Sequence, residues 1–220
     1  MERRIAVKST GRASAKPDLV VISMTVQAAE EAYARAVEEG TRRTEAVKEA
    51  LLPLGFRKED VKTTFYNVST RYESEQDEHG VFRQRFAGYD CVHSLSLEFP
   101  MDSARLSAVV CALAESDAAP QFHIRFTVKD PDAVIERVLQ DAAKRAAERA
   151  NILCAASGVR LGPLVGIEYG SRAAELYSQT ECAPMLRMAK ASANGAMADM
   201  DVVPEDIRTE ETVTFIWEIG

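Results

Sequence analysis

The N-terminal part of the chain contains two strand-like stretches that restrict the fold more than any other feature. Ile5 and Val7 alternate with other residues up to Gly11, and small residues follow. After Lys16-Pro17-Asp18, apolar residues recur at every second position from Val20 to Val26. A period of two is typical of strands that bury one face. We therefore predict that the two strands pair as a β-hairpin, with Gly11 and the Pro-containing segment acting as turn and strand entry.

The rest of the chain alternates strands with helices. A first helix ends at Pro53 and Gly55, and its sheet-facing stripe is predicted to contain Tyr33, Val37, Gly40, Thr44, Val47, Leu51 and Leu54. A second helix is predicted over 101–116, with the inward residues Leu106, Val109, Val110 and Leu113. A long alanine-rich helix starts at Asp130-Pro131 and ends near Gly158. The other predicted strands lie at 61–72, 82–99, 122–128, 164–169 and 213–219. Helices grouped on antiparallel strands favour an α+β fold over a doubly wound one.

The strands before and after the charged turn at 73–80 are long enough to form a second hairpin. In the strand at 82–99, alternate residues from Tyr89 to Phe99 share one face, which we assign to the core. The strand at 61–72 divides into two faces. Val61, Thr63 and Phe65 are placed on one face, and Tyr66, Val68 and Tyr72 on the other.

The pattern fails between residues 170 and 205, where Ala, Ser and Met predominate. A loop of this length is uncommon in a compact domain and is usually functional or disordered. Its apolar residues suit either a contact with a partner or neighbouring subunit, or a few buried anchors of an irregular excursion. The candidate ligand or oligomer contacts are Tyr177, Met185, Leu186, Met188, His123 and Arg125.

Composition excludes several classes of function. The 220 residues are 46% hydrophobic and carry a net charge of −7, so the basic surface of a nucleic-acid binder is not expected. No apolar run is long enough to span a bilayer, and no signal peptide precedes the first strand. We therefore expect a cytoplasmic protein, with a periplasmic or extracytoplasmic location if a leader was removed. The four cysteines lack CxxC spacing, which favours reduced thiols over zinc binding or a disulfide framework.

A search for catalytic residues finds no convergent set. Cys91 and His93 share a strand face, but zinc needs three or four ligands and no second cluster has matching spacing, so core packing is the preferred interpretation. His123 is placed on the polar face of its strand and His79 in a charged turn. No GxSxG or P-loop motif is present. We predict no catalytic, cofactor-binding or metal-binding residue, and an enzyme is not the favoured class.

Several ordered segments together resemble the SIMPL-domain family, whose bacterial members include periplasmic immunogenic proteins. They are Val7-Lys-Ser-Thr-Gly11, Ala15-Lys16-Pro17-Asp18, Leu54-Gly55-Phe56, Glu59-Asp60-Val61-Lys62-Thr63, Gly88-Tyr89, Gly158-Val-Arg-Leu-Gly162 and the strand from Val213 to Ile219. The resemblance covers essentially the whole chain and implies one SIMPL-type domain over 1–220. It also implies two intertwined subdomains of antiparallel sheet with helices on one face, divided approximately as 1–100 and 101–220.

The same resemblance implies little chemistry. Some bacterial relatives form large homo-oligomers and some are linked to oxidative-stress tolerance, but the family has no agreed catalytic motif. The leading hypothesis is therefore a non-enzymatic, self-associating scaffold or stress-associated factor without a cofactor. The alternative is a small-molecule-binding protein, or an unrecognised enzyme, with a pocket under the 170–205 segment.

Overall fold

A computed structural model describes residues 3–76, 82–170, 176–180 and 202–220. Within these ranges it contains seven strands in two antiparallel sheets and three α-helices, which confirms the α+β class. The strands are β1 Arg4–Ala15, β2 Leu19–Glu30, β3 Val61–Gln76, β4 Phe82–Pro100, β5 Gln121–Thr127, β6 Leu161–Glu168 and β7 Ile207–Ile219. The helices are α1 Tyr33–Leu51, α2 Ser103–Glu115 and α3 Pro131–Ala156.

The chain divides into two compact units. The first unit combines Met1–Asp18, Thr127–Gln179 and Pro204–Gly220, and the second combines Leu19–Phe126 and Thr180–Val203. The chain therefore leaves the first unit, builds most of the second, and returns. These boundaries do not coincide with a division near residue 100, because β1 pairs with β7 from the opposite end of the chain.

In the first unit, a three-stranded sheet in the order β1-β7-β6 carries α3. The predicted start of α3 is confirmed: the Asp130 side chain accepts a hydrogen bond from the backbone N–H of Ala133, and Pro131 occupies the first turn. Gly158 has a φ of 69°, the left-handed conformation expected just after a helix end. The alanine stripe of α3 packs on the apolar face of β1 and β7, whose buried members are Val7, Val213, Phe215 and Trp217.

The predicted N-terminal hairpin is wrong. β1 continues past Gly11 to Ala15 and pairs along its whole length with β7, whereas β2 pairs with β4 in the other sheet. The linker between them is held elsewhere, since Asp18 donates its backbone N–H to the Thr127 carbonyl and accepts one from Lys129 at its side chain. Alternation identifies the buried face of each strand, but it does not identify the neighbouring strand.

Gly11 is a close-packing residue and not a turn residue. A Cβ at this position would collide with the carbonyl oxygen of Val138 and would lie 2.5 Å from the backbone nitrogen of Ala142. The absence of a side chain therefore allows α3 to approach β1 at the level of the backbone.

In the second unit, the sheet has the order β3-β4-β2-β5 and carries α1 and α2. The core between them contains the apolar positions predicted for α2, which are Leu106, Val109, Val110 and Leu113. The stripe of α1 is also largely confirmed at Gly40, Thr44, Val47 and Leu51, with Ala36 added to it. Tyr33, predicted to be part of that stripe, is 55% exposed.

The predicted pairing of β3 with β4 is confirmed, but the assignment of faces along β3 is wrong. Val61 lies opposite Leu97 and Tyr66 lies opposite His93, with an irregularity in register between Thr63 and Phe65. This bulge leaves Thr64 without a partner and shifts the alternation by one residue. Phe65 consequently leaves the face that carries Val61 and is 54% exposed.

Candidate functional site

The outer end of the β3–β4 pair extends beyond the other strands that the structure describes in the second unit. β2 ends at Glu30, opposite Tyr89 of β4, while β3 and β4 continue together as residues 71–76 and 82–88. We call these thirteen residues the hairpin extension. Among the residues that the structure describes, no third strand flanks it. Two-stranded ribbons are only marginally stable in water, so this segment depends on contacts made by its side chains.

Gly88 lies where the hairpin extension leaves the four-stranded sheet. Its φ is 117°, and a Cβ there would collide with the carbonyl oxygen of Glu30. A register shift beside it leaves Ala87 of β4 without a partner in β3. Glycine at this position is therefore required by both the backbone conformation and the close approach of β2.

Four aromatic side chains form a continuous surface at the base of the extension. The ring of Tyr89 lies 5.5 Å from that of Tyr33 and 5.3 Å from that of Phe86, centroid to centroid. Phe86 in turn lies 5.9 Å from Tyr72. All three contacts are edge-to-face, a favourable geometry for aromatic pairs. We call Tyr33, Tyr72, Phe86 and Tyr89 the aromatic surface.

The rings of the aromatic surface contact one another and yet remain accessible. Tyr33 and Tyr72 are each 55% exposed and Phe86 is 47% exposed, while Phe82, further along the extension, is 71% exposed. Contiguous exposed apolar surface of this kind is typical of a binding site. The aromatic surface is therefore the strongest candidate contact site among the described residues.

Charged residues flank the aromatic surface in pairs of opposite sign. Arg85 lies 3.6 Å from Glu75, and Arg71 lies 3.9 Å from Glu73. Arg71 also donates a hydrogen bond of 2.9 Å to the carbonyl oxygen of Ala87, which holds it against the extension. A groove of about 630 Å³ runs between these side chains and Gly88. The extension thus presents alternating positive and negative groups around an apolar patch.

Cys91 and His93 do share a face of β4, as predicted, and they lie beneath α1. Cys91 is fully buried, and a Cβ at Gly40 of α1 would lie 2.7 Å from its Sγ. Burial raises the pKa of the Cys91 thiol, and a hydrogen bond with Tyr66 opposes that change in part. A buried thiol with a raised pKa is a poor nucleophile and metal ligand.

The His93 ring packs edge-on against Tyr66 at 4.4 Å. Burial, followed by the positive charge of Lys48, lowers the pKa of His93, and its Nε2 has no hydrogen-bond partner among the described residues. In that part of the chain, no group of three His, Cys, Asp or Glu side chains could hold a metal ion. Packing therefore accounts for both Cys91 and His93.

Three of the six predicted contact residues lie within the described ranges. His123 and Arg125 are exposed on the same side of β5, as their alternation predicts, and belong to the second unit. Tyr177 belongs to the first unit, where it forms an isolated antiparallel bridge with Thr127. Met185, Leu186 and Met188 lie outside the described residues. The predicted ligand pocket under 170–205 stays a prediction.

The near end of that segment is anchored within the first unit. Leu176 is buried with Val134 and Ile207, and its carbonyl oxygen accepts a hydrogen bond from Thr127 Oγ1. Ser178 Oγ donates to the carbonyl oxygen of Glu205 at 2.7 Å. The anchors at this end are thus apolar and backbone contacts.

The sequence matches the family described as SIMPL, a protein of unknown function (DUF541), over residues 5–217. The chain belongs to the SIMPL family. This confirms the resemblance inferred from the ordered sequence segments.

Two named relatives extend the family assignment. The chain is 26% identical over 173 residues to the 26 kDa periplasmic immunogenic protein of Brucella melitensis, covering 77% of this chain and 67% of the relative. It is 25% identical over 173 residues, with the same coverage, to the protein of that name from Brucella abortus. In this chain, no helix within the described residues is long and apolar enough to cross a membrane.

Sequence reasoning missed the aromatic surface because it placed these side chains within ordinary strand and helix faces. One signal was available: the strand predicted over 82–99 is longer than the alternating stretch from Val20 to Val26, which belongs to its neighbour β2. Aromatic residues beyond the reach of the shorter strand cannot be covered by it. The lengths alone did not identify which strand was the neighbour.

Proposed function

We propose that this protein is a non-enzymatic scaffold that associates with copies of itself through the aromatic surface. The observation that carries the proposal is the exposure of Tyr33, Tyr72 and Phe86 beside a two-stranded extension. Aromatic residues are enriched at the centres of protein interfaces, where they bury large areas with little loss of side-chain freedom. Covering these rings supports an extension that is only marginally stable by itself.

The charges around the aromatic surface favour a second copy as the partner. The described residues of the extension contain three arginines and two glutamates, although the whole chain has a net charge of −7. The overall negative charge disfavours association of two copies, whereas the described residues of the extension are nearly balanced in charge. Its alternating signs also allow Arg71 and Arg85 of one copy to meet Glu73 and Glu75 of another.

Light scattering coupled to size exclusion tests the assembly. At micromolar concentration we expect a mass that is a multiple of the 24.2 kDa chain. Replacing Tyr72 and Phe86 together by serine should shift the protein to the single-chain mass, because both edge-to-face contacts and their exposed area are lost. Far-ultraviolet circular dichroism establishes that the variant retains its secondary structure.

Ile152→Ser provides a matched control. Ile152 is 66% exposed on α3, so the substitution removes exposed apolar area without touching the extension. The control should keep the mass of the unmodified protein. A single-chain mass before any substitution, or an unchanged mass in the folded Tyr72→Ser/Phe86→Ser protein, would contradict the proposal.

The cellular role extends the same proposal. A stress-associated scaffold is supported by family resemblance, and both relatives are named as periplasmic proteins. Fractionation of cells that produce the full-length protein decides between the cytoplasmic location expected from the sequence and a periplasmic one. Survival of a deletion strain under peroxide, compared with a strain carrying the Tyr72→Ser/Phe86→Ser protein, tests whether assembly supports that role.

A further inference from the structure

A second candidate site lies in the second unit, away from the aromatic surface, where β4 ends and α2 begins. It is a groove of about 500 Å³ with walls from the segment before β3, from β3, from β4 and from α2. Its lining side chains are of three kinds: apolar, hydroxyl-bearing and charged. The shape of the groove does not identify a ligand, but the signs of its charged residues and their lack of direct ion pairs among the described residues indicate its class.

Arg105 is the most constrained of these charged residues. Its guanidinium carbon lies 4.3 Å above the ring centroid of Phe56 and 5.8 Å from that of Phe99. The two rings are themselves in edge contact at 5.6 Å and are almost fully buried. The cation is therefore held in place by aromatic packing, and its planar donors are positioned before any ligand arrives.

The guanidinium of Arg105 has no carboxylate partner among the described residues. Lys62, on β3, also forms no ion pair within 4.0 Å in that part of the chain; its charge acts at longer range, where it adds to the effect of Arg57 in lowering the pKa of Asp60. By contrast, the neighbouring Arg57, Lys58 and Lys48 all form ion pairs. Arginine and lysine held at a groove without a counterion are typical of sites for carboxylate or phosphate groups.

A third charged residue in the wall has the opposite sign. Glu98 is exposed near the end of β4, and within the described ranges no cation lies within ion-pair distance of it. The remaining acid, Asp60, is already occupied by Arg57 at 2.9 Å. Among the described residues, the groove therefore combines two cations and one carboxylate that form no direct ion pair, which disfavours a polyanion such as a phosphate ester and suits a ligand with both charges.

Local backbone geometry supports a site here. The bulge in β3 leaves Thr64 without a strand partner, and its side chain lines the groove together with Ser96. Bulges commonly redirect a side chain toward a functional site. Phe99 and Pro100 add an apolar wall beside these hydroxyl groups.

We propose that this groove binds a small zwitterionic molecule of the amino-acid class with an apolar side chain. Its carboxylate pairs with Arg105 and Lys62, its ammonium group pairs with Glu98, and its side chain contacts Phe99 and Pro100. The proposal concerns residues of the second unit alone and does not depend on assembly through the aromatic surface.

Calorimetric titration of the full chain with three probes tests the two charge contacts separately. L-leucine carries both groups, 4-methylpentanoate lacks the ammonium group, and 3-methylbutylamine lacks the carboxylate. We expect L-leucine to bind at least about tenfold more tightly than either analogue, since each analogue leaves one charged partner unpaired. Glycyl-leucine distinguishes a free amino acid from a peptide as the preferred form.

Two substitutions assign the contacts. Arg105→Gln should weaken L-leucine binding by about tenfold or more, and Glu98→Gln should remove the preference for L-leucine over 4-methylpentanoate. Arg42→Gln, which changes an arginine of α1 that pairs with Glu39 and lines no part of the groove, should leave the affinity unchanged. Because Glu98 is exposed, its substitution should not affect folding, and this variant remains informative if Arg105→Gln unfolds.

The outcomes that overturn the proposal are distinct. They are the absence of saturable binding of L-leucine at millimolar concentration, equal affinity for L-leucine and 4-methylpentanoate, or an unchanged preference in Glu98→Gln. None of these results bears on the mass measured by light scattering, so failure of the ligand site is distinguishable from failure of the assembly proposal.

Discussion

In each unit one glycine allows a helix to pack closely against a sheet, but the two glycines face different kinds of atoms. In the first unit, Gly11 lies on a strand and lets the backbone of α3 approach β1. In the second unit, Gly40 lies on a helix and leaves room for the side chain of Cys91 on β4. The obstacle at Gly11 is main chain, whereas the obstacle at Gly40 is a sulfur atom.

This difference predicts how tolerant each unit is to change. Main-chain atoms within a helix can move only if the helix moves, and the interior around it is close-packed. A single side chain can rotate or be replaced. The contact between helix and sheet should therefore tolerate few substitutions in the first unit. In the second unit, a substitution at this contact can be compensated by a change in the facing side chain.

The largest effect is expected for Gly11→Ala. The added Cβ would lie 2.5 Å from Ala142 N and would collide with the Val138 carbonyl, so α3 must shift away from the sheet. We expect the free energy of unfolding to fall by about 2–3 kcal/mol, measured by urea denaturation monitored with circular dichroism.

Gly166→Ala is the control for that experiment. Gly166 lies in the same sheet, where a Cβ would meet Ile216 at an ordinary 3.6 Å. The control should change the free energy of unfolding by less than about 0.5 kcal/mol. Equal effects of the two substitutions would show that loss of glycine, and not contact with α3, determines the result.

Gly40→Ala should have a smaller effect, and its sign should depend on Cys91. Alanine raises helix propensity by about 1 kcal/mol, but its Cβ would lie 2.7 Å from the Cys91 Sγ. We expect a net loss of about 1 kcal/mol in the unmodified protein. In a Cys91→Ala background the Sγ is removed and only the Cβ of residue 91, at 3.3 Å, remains, so the same substitution should become neutral or stabilising by up to about 0.5 kcal/mol.

A double-mutant cycle from four denaturation curves measures this coupling. No comparable rescue should exist for Gly11→Ala, because its obstacle is backbone. If Cys91→Ala leaves the effect of Gly40→Ala unchanged, the contrast between a main-chain obstacle and a side-chain obstacle does not hold.

The helix N-caps should behave alike in both units. Asp130 caps α3 and Asp102 caps α2, each accepting a backbone N–H at 3.0 Å. Replacing either by alanine should lower the free energy of unfolding by about 1 kcal/mol, measured as above. If Asp130→Ala lowers the free energy of unfolding much more than Asp102→Ala, then the first unit tolerates change less well at the start of α3 as well as at the contact between α3 and β1.

The sequence predicted the ends of helices better than it predicted which strands lie next to each other. The cap at Asp130 and the stop at Gly158 were predictable because the signals lie within a few residues of the element they define. The partner of β1 was not, because β7 is about two hundred residues away and every alternating strand looks equally suitable. Gly11 was misinterpreted as a turn residue for the same reason, because the atoms that require a glycine there belong to α3, far away in the sequence.

The candidate site was even less predictable. Tyr33 was assigned to the sheet-facing stripe of α1 and Phe65 to the face of Val61, but exposure at these positions depends on where β2 ends and on the bulge at Thr64. Arg105 gave no signal, because its stacking on Phe56 joins residues from two separate segments. Such contacts exist only after the sheet and its helices have assembled.

The smallest effect is expected for the surface ion pairs. In the second unit, hydrogen bonds from Arg42 and then Arg43 lower the pKa of Glu39 to about 2. In the first unit, the backbone N–H of Arg12 and then the Arg145 side chain lower the pKa of Asp141. The first arrangement joins residues of one helix, whereas the second joins α3 to β1.

Glu39→Gln should therefore lower the melting temperature by only about 1 °C near neutral pH, because exposed pairs within one helix contribute little. A carboxylate whose pKa is lowered on folding stabilises the protein above its unfolded value of 4.5, and this contribution is lost as the pH falls toward 2. The melting curves of Glu39→Gln and the unmodified protein should accordingly converge across that window. The melting temperatures of Asp141→Asn and the unmodified protein should also converge as the pH falls. Their difference at neutral pH should be larger than for Glu39→Gln, because the bond between Asp141 and Arg12 holds α3 against β1. If the two differences at neutral pH are equal, the helix–sheet contact of the first unit is no more strictly specified than a surface pair of the second.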